Sequence, residues 1–275
     1  MTVCIAANCV KSTCVVVASD RMVTFGRMTV EFDHCEPKID VLSDTCVALS
    51  AGNAIIADAI LSGELTIGQF ALIDHCAEHL RERFVSTRRR IVTEWLLEPR
   101  GTTFDEFYKA GGMQGLPPEL AMSLDDQARE LDLQTDILLA GIDSEGAHIY
   151  TIENPGLLAR CDRIGYEAIG SGAHHATITL IRQHQNNAVG LNETVFNVYC
   201  AKRIAEYAPG VGTATEMRVI TRPGGIRSLN GDELSQLSEI FDVWSRPKTD
   251  EVERMLKGLP YERPHEPKLA TTGAA

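Results

Sequence analysis

The amino-acid sequence predicts an α+β fold in which two packed β-sheets carry helical layers on their outer sides, a four-layer αββα sandwich. Three stretches predict this order: the first fifty residues are strand-like, helical spacing takes over near residue 53, and strands return from residue 137. Runs of strands that alternate with blocks of helices suit two packed sheets better than a parallel βαβ sheet. With 275 residues, 44% of them hydrophobic, the chain can also fill a large core.

The N-terminal strands are predicted to form two hairpins. Residues 3–7 and 14–18 are strand-like and flank a turn, and the second run is rich in β-branched valine. After a polar interval, residues 39–42 and 46–50 give a second pair, which ends at Ala51-Gly52-Asn53.

Helical spacing then predicts two helices that cover one sheet face. Apolar residues recur three or four positions apart at Ile55, Ile56, Ala59, Ile60, Phe70, Ile73, Ala77 and Leu80. Residues 86–115 are interpreted as an insertion, a charged helix followed by a loop, in which Arg88-Arg89-Arg90 forms a solvated helix face. A helix is expected to start at Pro117-Pro118-Glu119.

The second half repeats strands and helices. Residues 137–142 and 148–152 predict a hairpin with Gly146 at its turn, and residues 165–169 predict a strand that leads into Gly170-Ser171-Gly172. The remaining predicted elements are a helix from Ala173, a helix over residues 192–207 with Asn192 as N-cap, a strand over 213–221 and a helix over 231–244. We therefore expect one domain over residues 2–245 and a partly disordered tail over 246–275.

Charge and composition exclude several classes of function. A net charge of -12 and a pI near 5.1 argue against a general nucleic-acid binder or a binder of anionic membranes, because both need a basic face. The N-terminus has no basic n-region followed by an apolar stretch, so we expect a cytoplasmic protein.

The sequence predicts neither a cofactor nor a metal site. Its eight cysteines are scattered and form no Cys-x-x-Cys pair, as expected of small buried hydrophobes in a reducing compartment. The neighbouring pairs His34-Cys35 and His174-His175 are the only metal candidates considered, and a compact site needs about four convergent ligands.

Five short motifs occur in a recognisable order across most of residues 2–222. They are Thr2-Val3-Cys4-Ile5, the run Val17-Ala18-Ser19-Asp20-Arg21-Met22-Val23-Thr24-Phe25-Gly26, Pro37-Lys38-Ile39, Ala48-Leu49-Ser50-Ala51-Gly52, and Ala168-Ile169-Gly170-Ser171-Gly172-Ala173-His174-His175-Ala176. In this order they resemble the proteasome β-subunit and HslV family of N-terminal-nucleophile (Ntn) hydrolases. The resemblance implies the Ntn version of the αββα sandwich.

The resemblance implies a catalytic set of Thr2, Asp20, Lys38, Gly52 and Ser171. Thr2 would be the nucleophile after Met1 is removed, and its own α-amine, with a pKa near 8, would be the base. Lys38 would favour the deprotonated hydroxyl, and Asp20 would keep the lysine charged. Gly52 would offer a backbone N–H to the oxyanion, and Ser171 would bind the Thr2 amine or a bridging water.

Each of these residues also has an ordinary alternative. Thr2 would then be a plain strand residue, Asp20 and Lys38 a simple ion pair, and Gly52 a turn glycine. Ser171 would be a helix N-cap. One family feature is missing from the sequence: an acidic residue followed by a serine is expected near residues 206–210, where Glu206 stands one position early and no serine follows.

The expected function is that of a threonine-type peptidase or amidohydrolase that acts through an acyl-enzyme. Its expected partners are a peptide or protein substrate, further copies of the chain in a ring, and an ATP-dependent unfoldase. Two alternatives stay open: a non-catalytic scaffold with the same fold, and an amidohydrolase or transpeptidase with one dedicated substrate. His34 and His175 are left out of the site, because a lone histidine in a loop or at a helix start is usually structural.

Overall fold

A computed structural model of the chain describes residues 2–25, 30–33, 38–62, 72–109, 111–112, 116–222, 224–245 and 254–255. The strands in chain order are β1 (Cys4–Cys9), β2 (Cys14–Asp20), β3 (Met22–Phe25), β4 (Val30–Asp33), β5 (Ile39–Ser43), β6 (Cys46–Gly52), β7 (Thr135–Ile142), β8 (Ala147–Glu153), β9 (Leu157–Arg160), β10 (Tyr166–Ile169), β11 (Thr215–Thr221) and β12 (Gly225–Ser228). The α-helices are α1 (Ala54–Leu61), α2 (Ile73–Val92), α3 (Phe104–Tyr108), α4 (Pro118–Glu130), α5 (Ala173–Arg182), α6 (Leu191–Ala205) and α7 (Gly231–Ser245).

The strands of the described residues form two larger sheets and one short ribbon. The first sheet has the order β10-β1-β2-β11-β12, the second has the order β5-β6-β7-β8-β9, and β3 pairs with β4. All pairings are antiparallel. This mixture of helices and antiparallel sheets confirms the predicted α+β class.

One hydrophobic cluster contains side chains of both larger sheets. Cys4, Ala6, Val15 and Val17 of the first sheet are buried with Val47, Leu49, Leu138 and Ala140 of the second. Successive strand residues point to opposite faces of a sheet. The neighbours of the latter four, Cys46, Ala48, Ile137 and Leu139, accordingly lie in a different cluster.

That different cluster joins the second sheet to α1 and α2. Ala57 and Ile60 come from α1, and Ile73, Ala77 and Leu80 come from α2. The prediction that these two helices cover one sheet face is therefore confirmed. On the first sheet, α6 packs against β1 and β2, and α5 packs against β10 and β1.

Several predicted boundaries were wrong. The polar interval after β2 contains β3 and β4, and the short strands β9 and β12 were not predicted at all. The sequence of β9 contains no β-branched or aromatic residue and that of β12 contains only Ile226, so neither has the composition typical of a strand. Strand β11 begins at Thr215 rather than at the predicted residue 213.

Two helix predictions also need correction. The helix predicted to start at Asn192 begins at Leu191 with Gly190 as its N-cap, and no side chain caps it. Arg88 was predicted to lie on a solvated face, but its guanidinium donates to the carbonyl oxygens of Leu131 (3.1 Å) and Ala128 (2.7 Å). It therefore satisfies carbonyl groups left open at the end of α4.

By packing, the chain divides into two compact units, residues 1–234 and 235–275. The division falls within α7, ahead of residue 246, where the predicted tail starts. Most of the predicted tail lies outside the described residues. Across the described ranges, no helix combines the length and the apolar character that a membrane span requires.

Candidate active site

Thr2 lies just ahead of β1, and its hydroxyl contacts two charged side chains. The residue is only 3% exposed. Its Oγ1 donates a hydrogen bond to a carboxylate oxygen of Asp20 and accepts one from Nζ of Lys38 at 2.6 Å. The hydroxyl oxygen is thus held between a carboxylate and an ammonium group.

Asp20, the last residue of β2, organises this cluster from a fully buried position. Its Oδ1 accepts hydrogen bonds from Thr2, from the backbone N–H of Val3 at 3.0 Å and from Lys38 at 3.1 Å. Its Oδ2 accepts from the N–H groups of Met22 (3.1 Å) and Gly212 (3.0 Å). These donors come from four parts of the chain, so the carboxylate fixes their relative positions.

Lys38 reaches the cluster from the residue before β5. Its side chain is 15% exposed, and its ammonium group donates to Thr2, to Asp20 and to the carbonyl oxygen of Met22. An ammonium group has three donors, and all three are used here. The geometry therefore aims the lysine at the Thr2 hydroxyl rather than at solvent.

Ser171 lies in the Gly170-Ser171-Gly172 turn, which follows the backbone of Thr2 closely. Its Oγ accepts a hydrogen bond from the Thr2 nitrogen at 3.3 Å. The Gly172 N–H donates to the Thr2 carbonyl oxygen at 3.2 Å. A Cβ at Gly170, where φ is +91°, would lie 2.4 Å from that same oxygen, so only glycine allows this approach.

The alternative reading of Ser171 as an N-cap is wrong. Helix α5 has Gly172 as its N-cap, and no side chain caps it. Ser171 instead lies within donor distance of two carbonyl oxygens, Thr2 at 3.3 Å and Pro209 at 3.4 Å.

Gly52 stands apart from the hydrogen-bonded group. It ends β6 with φ at +100°, and a Cβ there would lie 1.9 Å from the carbonyl oxygen of Gln134. Among the hydrogen bonds of the described residues, none joins Gly52 to the other four candidates. The nearby carbonyl oxygen of Ser50 accepts from the thiol of Cys4 at 3.4 Å, which links the end of β6 to β1.

Glu206 does not replace the missing acid of the family pattern. Its carboxylate binds Nζ of Lys202 at 2.7 Å and lies 3.4 Å from Nε of Arg203, so the sequence-based suggestion is corrected. The segment that follows, residues 206–213, reaches the site through its backbone instead. Gly212 supplies an N–H to Asp20, and Pro209 supplies a carbonyl oxygen to Ser171.

Sequence reasoning missed these backbone contacts and also missed Lys202. The only sequence signal for the backbone contacts was Pro209-Gly210-Val211-Gly212, where two glycines lie close together. Lys202 carried no signal, because a lysine on a helix is normally exposed.

Cys4, two residues after Thr2, is an alternative nucleophile, and its surroundings disfavour that role. Burial raises the pKa of the Cys4 thiol well above its usual range, although the nearby Lys38 charge opposes the shift. The thiolate is the reactive form of cysteine. A thiol in these surroundings stays protonated, which leaves the Thr2 hydroxyl as the candidate nucleophile.

The metal candidates receive no support from the described part of the chain, which holds no group of three or more His, Cys, Asp or Glu side chains arranged for a metal ion. His34 and Cys35 lie outside the described residues. The rings of His174 and His175 have their centroids 6.3 Å apart.

The site thus combines a buried hydroxyl, a cation that binds it, a carboxylate that binds both, and a serine on the nitrogen of the same residue. In comparison searches, no family model and no curated protein matches this chain.

Proposed function

We propose that this chain is a threonine-type Ntn hydrolase, similar to proteasome β-subunits and HslV, that cleaves amide bonds. The observation that carries the proposal is the position of Thr2 Oγ1, which accepts from Lys38 and donates to Asp20 while the nitrogen of Thr2 donates to Ser171. A simple ion pair between Asp20 and Lys38 would not require the Thr2 hydroxyl to contact both partners.

The first chemical step requires that everything ahead of Thr2 be removed. With Met1 in place the Thr2 nitrogen is an amide and cannot accept a proton near neutral pH. Once freed, the α-amine takes the Oγ1 proton, and Oγ1 attacks the substrate carbonyl carbon. The C–N bond of the tetrahedral intermediate then breaks, and the leaving amine takes the proton from the α-ammonium.

The second step hydrolyses the resulting ester. The α-amine accepts a proton from water, and the resulting hydroxide attacks the acyl carbon. The bond between that carbon and Oγ1 then breaks, Oγ1 takes the proton from the α-ammonium, and the carboxylic acid is released. Lys38 stabilises negative charge on Oγ1 in both steps, and Asp20 holds the lysine in place. Gly52 is proposed to donate its N–H to the oxyanion, the role that the resemblance implies.

The α+β fold with two antiparallel sheets is compatible with an Ntn hydrolase. We propose that the two sheets, with α1 and α2 on one outer face and α5 and α6 on the other, form the four-layer αββα sandwich of Ntn hydrolases. In such a sandwich the strand ends that carry Thr2, Asp20, Lys38 and Gly52 converge at one rim.

The assembly and the partners are proposals that come from the resemblance. We propose a peptide or protein substrate, a homo-oligomeric ring and, as a further partner, an ATP-dependent unfoldase. Light scattering of the purified protein at micromolar concentration tests the ring, because a monomer has a mass of 30.1 kDa. A mass of about 30 kDa alone would favour the dedicated amidohydrolase instead.

A covalent probe tests the mechanism directly. Two proteins are compared: one that begins at Thr2, and one that keeps Thr2 but carries an uncleavable N-terminal extension. A threonine-directed electrophile should label the first stoichiometrically and the second not at all, because only the first has a free amine beside the hydroxyl. Intact mass and peptide mapping give the site of labelling.

Two results would overturn the proposal. Equal labelling of both proteins would place the reactive group elsewhere. No labelling of the protein that begins at Thr2, together with circular dichroism showing it folded, would favour the non-catalytic scaffold.

A further inference from the structure

A second lysine, Lys202 of α6, lies behind the candidate site and is completely buried, with no exposed side-chain surface. Burying an ammonium group is costly unless partners surround it. Lys202 has two: Nζ donates to Oε1 of Glu206 at 2.7 Å and to the carbonyl oxygen of Thr213 at 2.8 Å. Desolvation lowers the pKa of Lys202, and the contact with Glu206 opposes that shift.

The two partners of Lys202 are the first and last residues of the segment 206–213. One ammonium group therefore fixes both ends of a short irregular segment that connects α6 to the region before β11. These two hydrogen bonds limit how far the ends of the segment can move.

Between those ends, the segment makes two contacts with the site. The Gly212 N–H, next to Thr213, donates to Oδ2 of Asp20 at 3.0 Å, and the Pro209 carbonyl lies 3.4 Å from Oγ of Ser171. Asp20 in turn binds Thr2 and Lys38. The path from Lys202 to the Thr2 hydroxyl thus passes through the carbonyl group of Thr213, the N–H of Gly212 and the carboxylate of Asp20.

We propose that Lys202 is a positioning residue for the Thr2 reaction, which holds the segment 206–213 so that the Gly212 N–H keeps the Asp20 carboxylate aligned with Thr2 and Lys38. This inference rests on the proposed function. Lys202 touches neither substrate nor the reacting atoms. Its effect is therefore on the geometry of the site, and it should alter turnover more than substrate binding.

The test compares Lys202→Met with a control in the same helix. Asn197 is also buried, at 4% exposure, but its side chain binds Gln185 at 2.9 Å, away from the segment 206–213. Asn197→Ala therefore removes a buried hydrogen bond from α6 without touching the proposed path. Both variants are prepared with Thr2 at the N-terminus, and thermal melts establish the folded fraction.

For Lys202→Met we expect kcat to fall about tenfold to a hundredfold with KM within about twofold, since small displacements of reacting groups produce losses of this size. Asn197→Ala should change neither constant by more than about twofold per folded molecule. Glu206→Gln keeps the lysine and a neutral acceptor, so it should lose about threefold in kcat; it serves as the second variant if Lys202→Met does not fold.

Amide hydrogen exchange provides a readout that does not depend on activity. In Lys202→Met or Glu206→Gln, the Gly212 N–H should exchange faster, while the Val3 N–H, which binds the same carboxylate from just ahead of β1, should keep its protection. Unchanged Gly212 exchange in these variants would overturn the positioning role even if Thr2 is the nucleophile. An equal loss of kcat in Asn197→Ala would overturn it as well, by showing that any damage to α6 has the same effect.

If the wild type neither turns over nor labels at Thr2, the proposed function fails. The exchange experiment then still decides whether Lys202 holds the segment.

Discussion

Two buried clusters of charged side chains lie at different ends of the second sheet, and they are built on different principles. One contains Thr2, Asp20 and Lys38, close to the end of β6 that carries Gly52. The other surrounds His148 of β8, which pairs with Gly141, the partner of Cys46 at the start of β6. Both bury ionisable groups, but only the first holds a hydroxyl between a cation and a carboxylate.

The His148 cluster is closed by its own partners. Nδ1 of the imidazole lies 2.7 Å from Oδ2 of Asp162, and Nε2 lies 3.1 Å from Oδ1 of Asp143. Each carboxylate also accepts a backbone N–H, from Ile149 to Asp162 at 2.8 Å and from Ile73 to Asp143 at 2.7 Å. The cluster thus ties the start of α2 to β8 and to the residues after β9.

The comparison teaches how a structural cluster differs from a reactive one. Around His148, two carboxylates hold an imidazole, and every contact strengthens the link between elements. Around Thr2, a cation and a carboxylate both bind one hydroxyl. This hydroxyl contributes little to holding the strands together, because the backbone N–H groups of Val3, Met22 and Gly212 already anchor Asp20. Substitutions in the Thr2 cluster should therefore lower mainly activity, and substitutions in the His148 cluster should lower mainly stability.

The largest effect is expected for Thr2→Ala in protein that begins at residue 2. Amide hydrolysis should fall by about 10³-fold or more, because the nucleophile is removed. The free energy of unfolding should fall by only about 1–2 kcal/mol, the value of a lost buried hydrogen bond. Peptide hydrolysis assays and urea denaturation measure the two quantities.

The control for this variant is Thr2→Ser, which keeps a hydroxyl and should retain activity within about tenfold. Wild-type turnover in Thr2→Ala would show that Thr2 is not the nucleophile and that its cluster is not a reactive one.

Lys38→Ala should have the next largest effect, a loss of about 10²-fold in kcat. The cation lowers the free energy of negative charge on Oγ1, and buried electrostatic contacts of this kind have effects of that size. Steady-state kinetics measure the loss. Lys11→Ala, which removes an exposed lysine at the far end of β1, is the matched control. A loss below about tenfold for Lys38→Ala would remove this lysine from the reactive cluster.

His148→Leu should show the opposite pattern. The free energy of unfolding is expected to fall by about 2–3 kcal/mol, because two carboxylates lose their shared partner inside the protein. Activity per folded molecule should stay within about twofold of wild type. Chemical denaturation and active-site titration test both parts, and His75→Ala, at an exposed position of α2, should change stability by less than about 0.5 kcal/mol.

A drop in kcat for His148→Leu that exceeds the loss of folded protein would show that the two clusters are coupled, and the comparison would then have to be abandoned.

The smallest effect is the pH dependence of stability that His148 confers. The hydrogen bond with Asp162 raises the pKa of His148, and burial opposes it only in part. A folded-state pKa above the unfolded value of about 6.5 means that the contribution is complete below pH 6.5 and is lost as pH rises through the folded pKa. We therefore expect stability to decline on that alkaline side.

The two aspartates give the cluster an acid limit as well. Desolvation opposes the ionisation of Asp143 and of Asp162, but the net shift lowers the pKa of each below its usual range. For Asp143, the N–H groups of Ile73 and Glu145 stabilise the carboxylate. For Asp162, the His148 imidazole and the Ile149 N–H do so. Their contribution is present above the unfolded pKa of about 3.9 and is lost as pH falls through the folded values. Urea midpoints from pH 3 to 9 should therefore decline on both sides for wild type, and the alkaline decline should be smaller in His148→Leu.

Much of the fold could be predicted from local patterns. The hairpins around residues 3–18, 39–50 and 137–152 and the start of α5 at Ala173 follow from alternation and from turn residues. The short strands β9 and β12 were not predicted, because Leu157–Arg160 contains no β-branched or aromatic residue and Gly225–Ser228 contains only Ile226, although each strand pairs with the strand just before it in the chain. The N-cap of α6 was misplaced because Asn192 is a good capping residue in general, whereas tertiary packing lets this helix begin at Leu191 behind Gly190.

For the candidate site, the motif order selected Thr2, Asp20, Lys38 and Ser171, and the hydrogen bonds bring these four together. The sequence by itself determined which strand ends carry hydroxyl, carboxylate and ammonium groups, because those are side-chain identities at strand boundaries. Only the tertiary structure decided that Gly212 and Pro209 reach the site through backbone atoms and that Lys202 is buried behind them. Backbone N–H and carbonyl groups are the same in every residue, so no sequence pattern can show which of them a folded chain will bring to a carboxylate or to a hydroxyl.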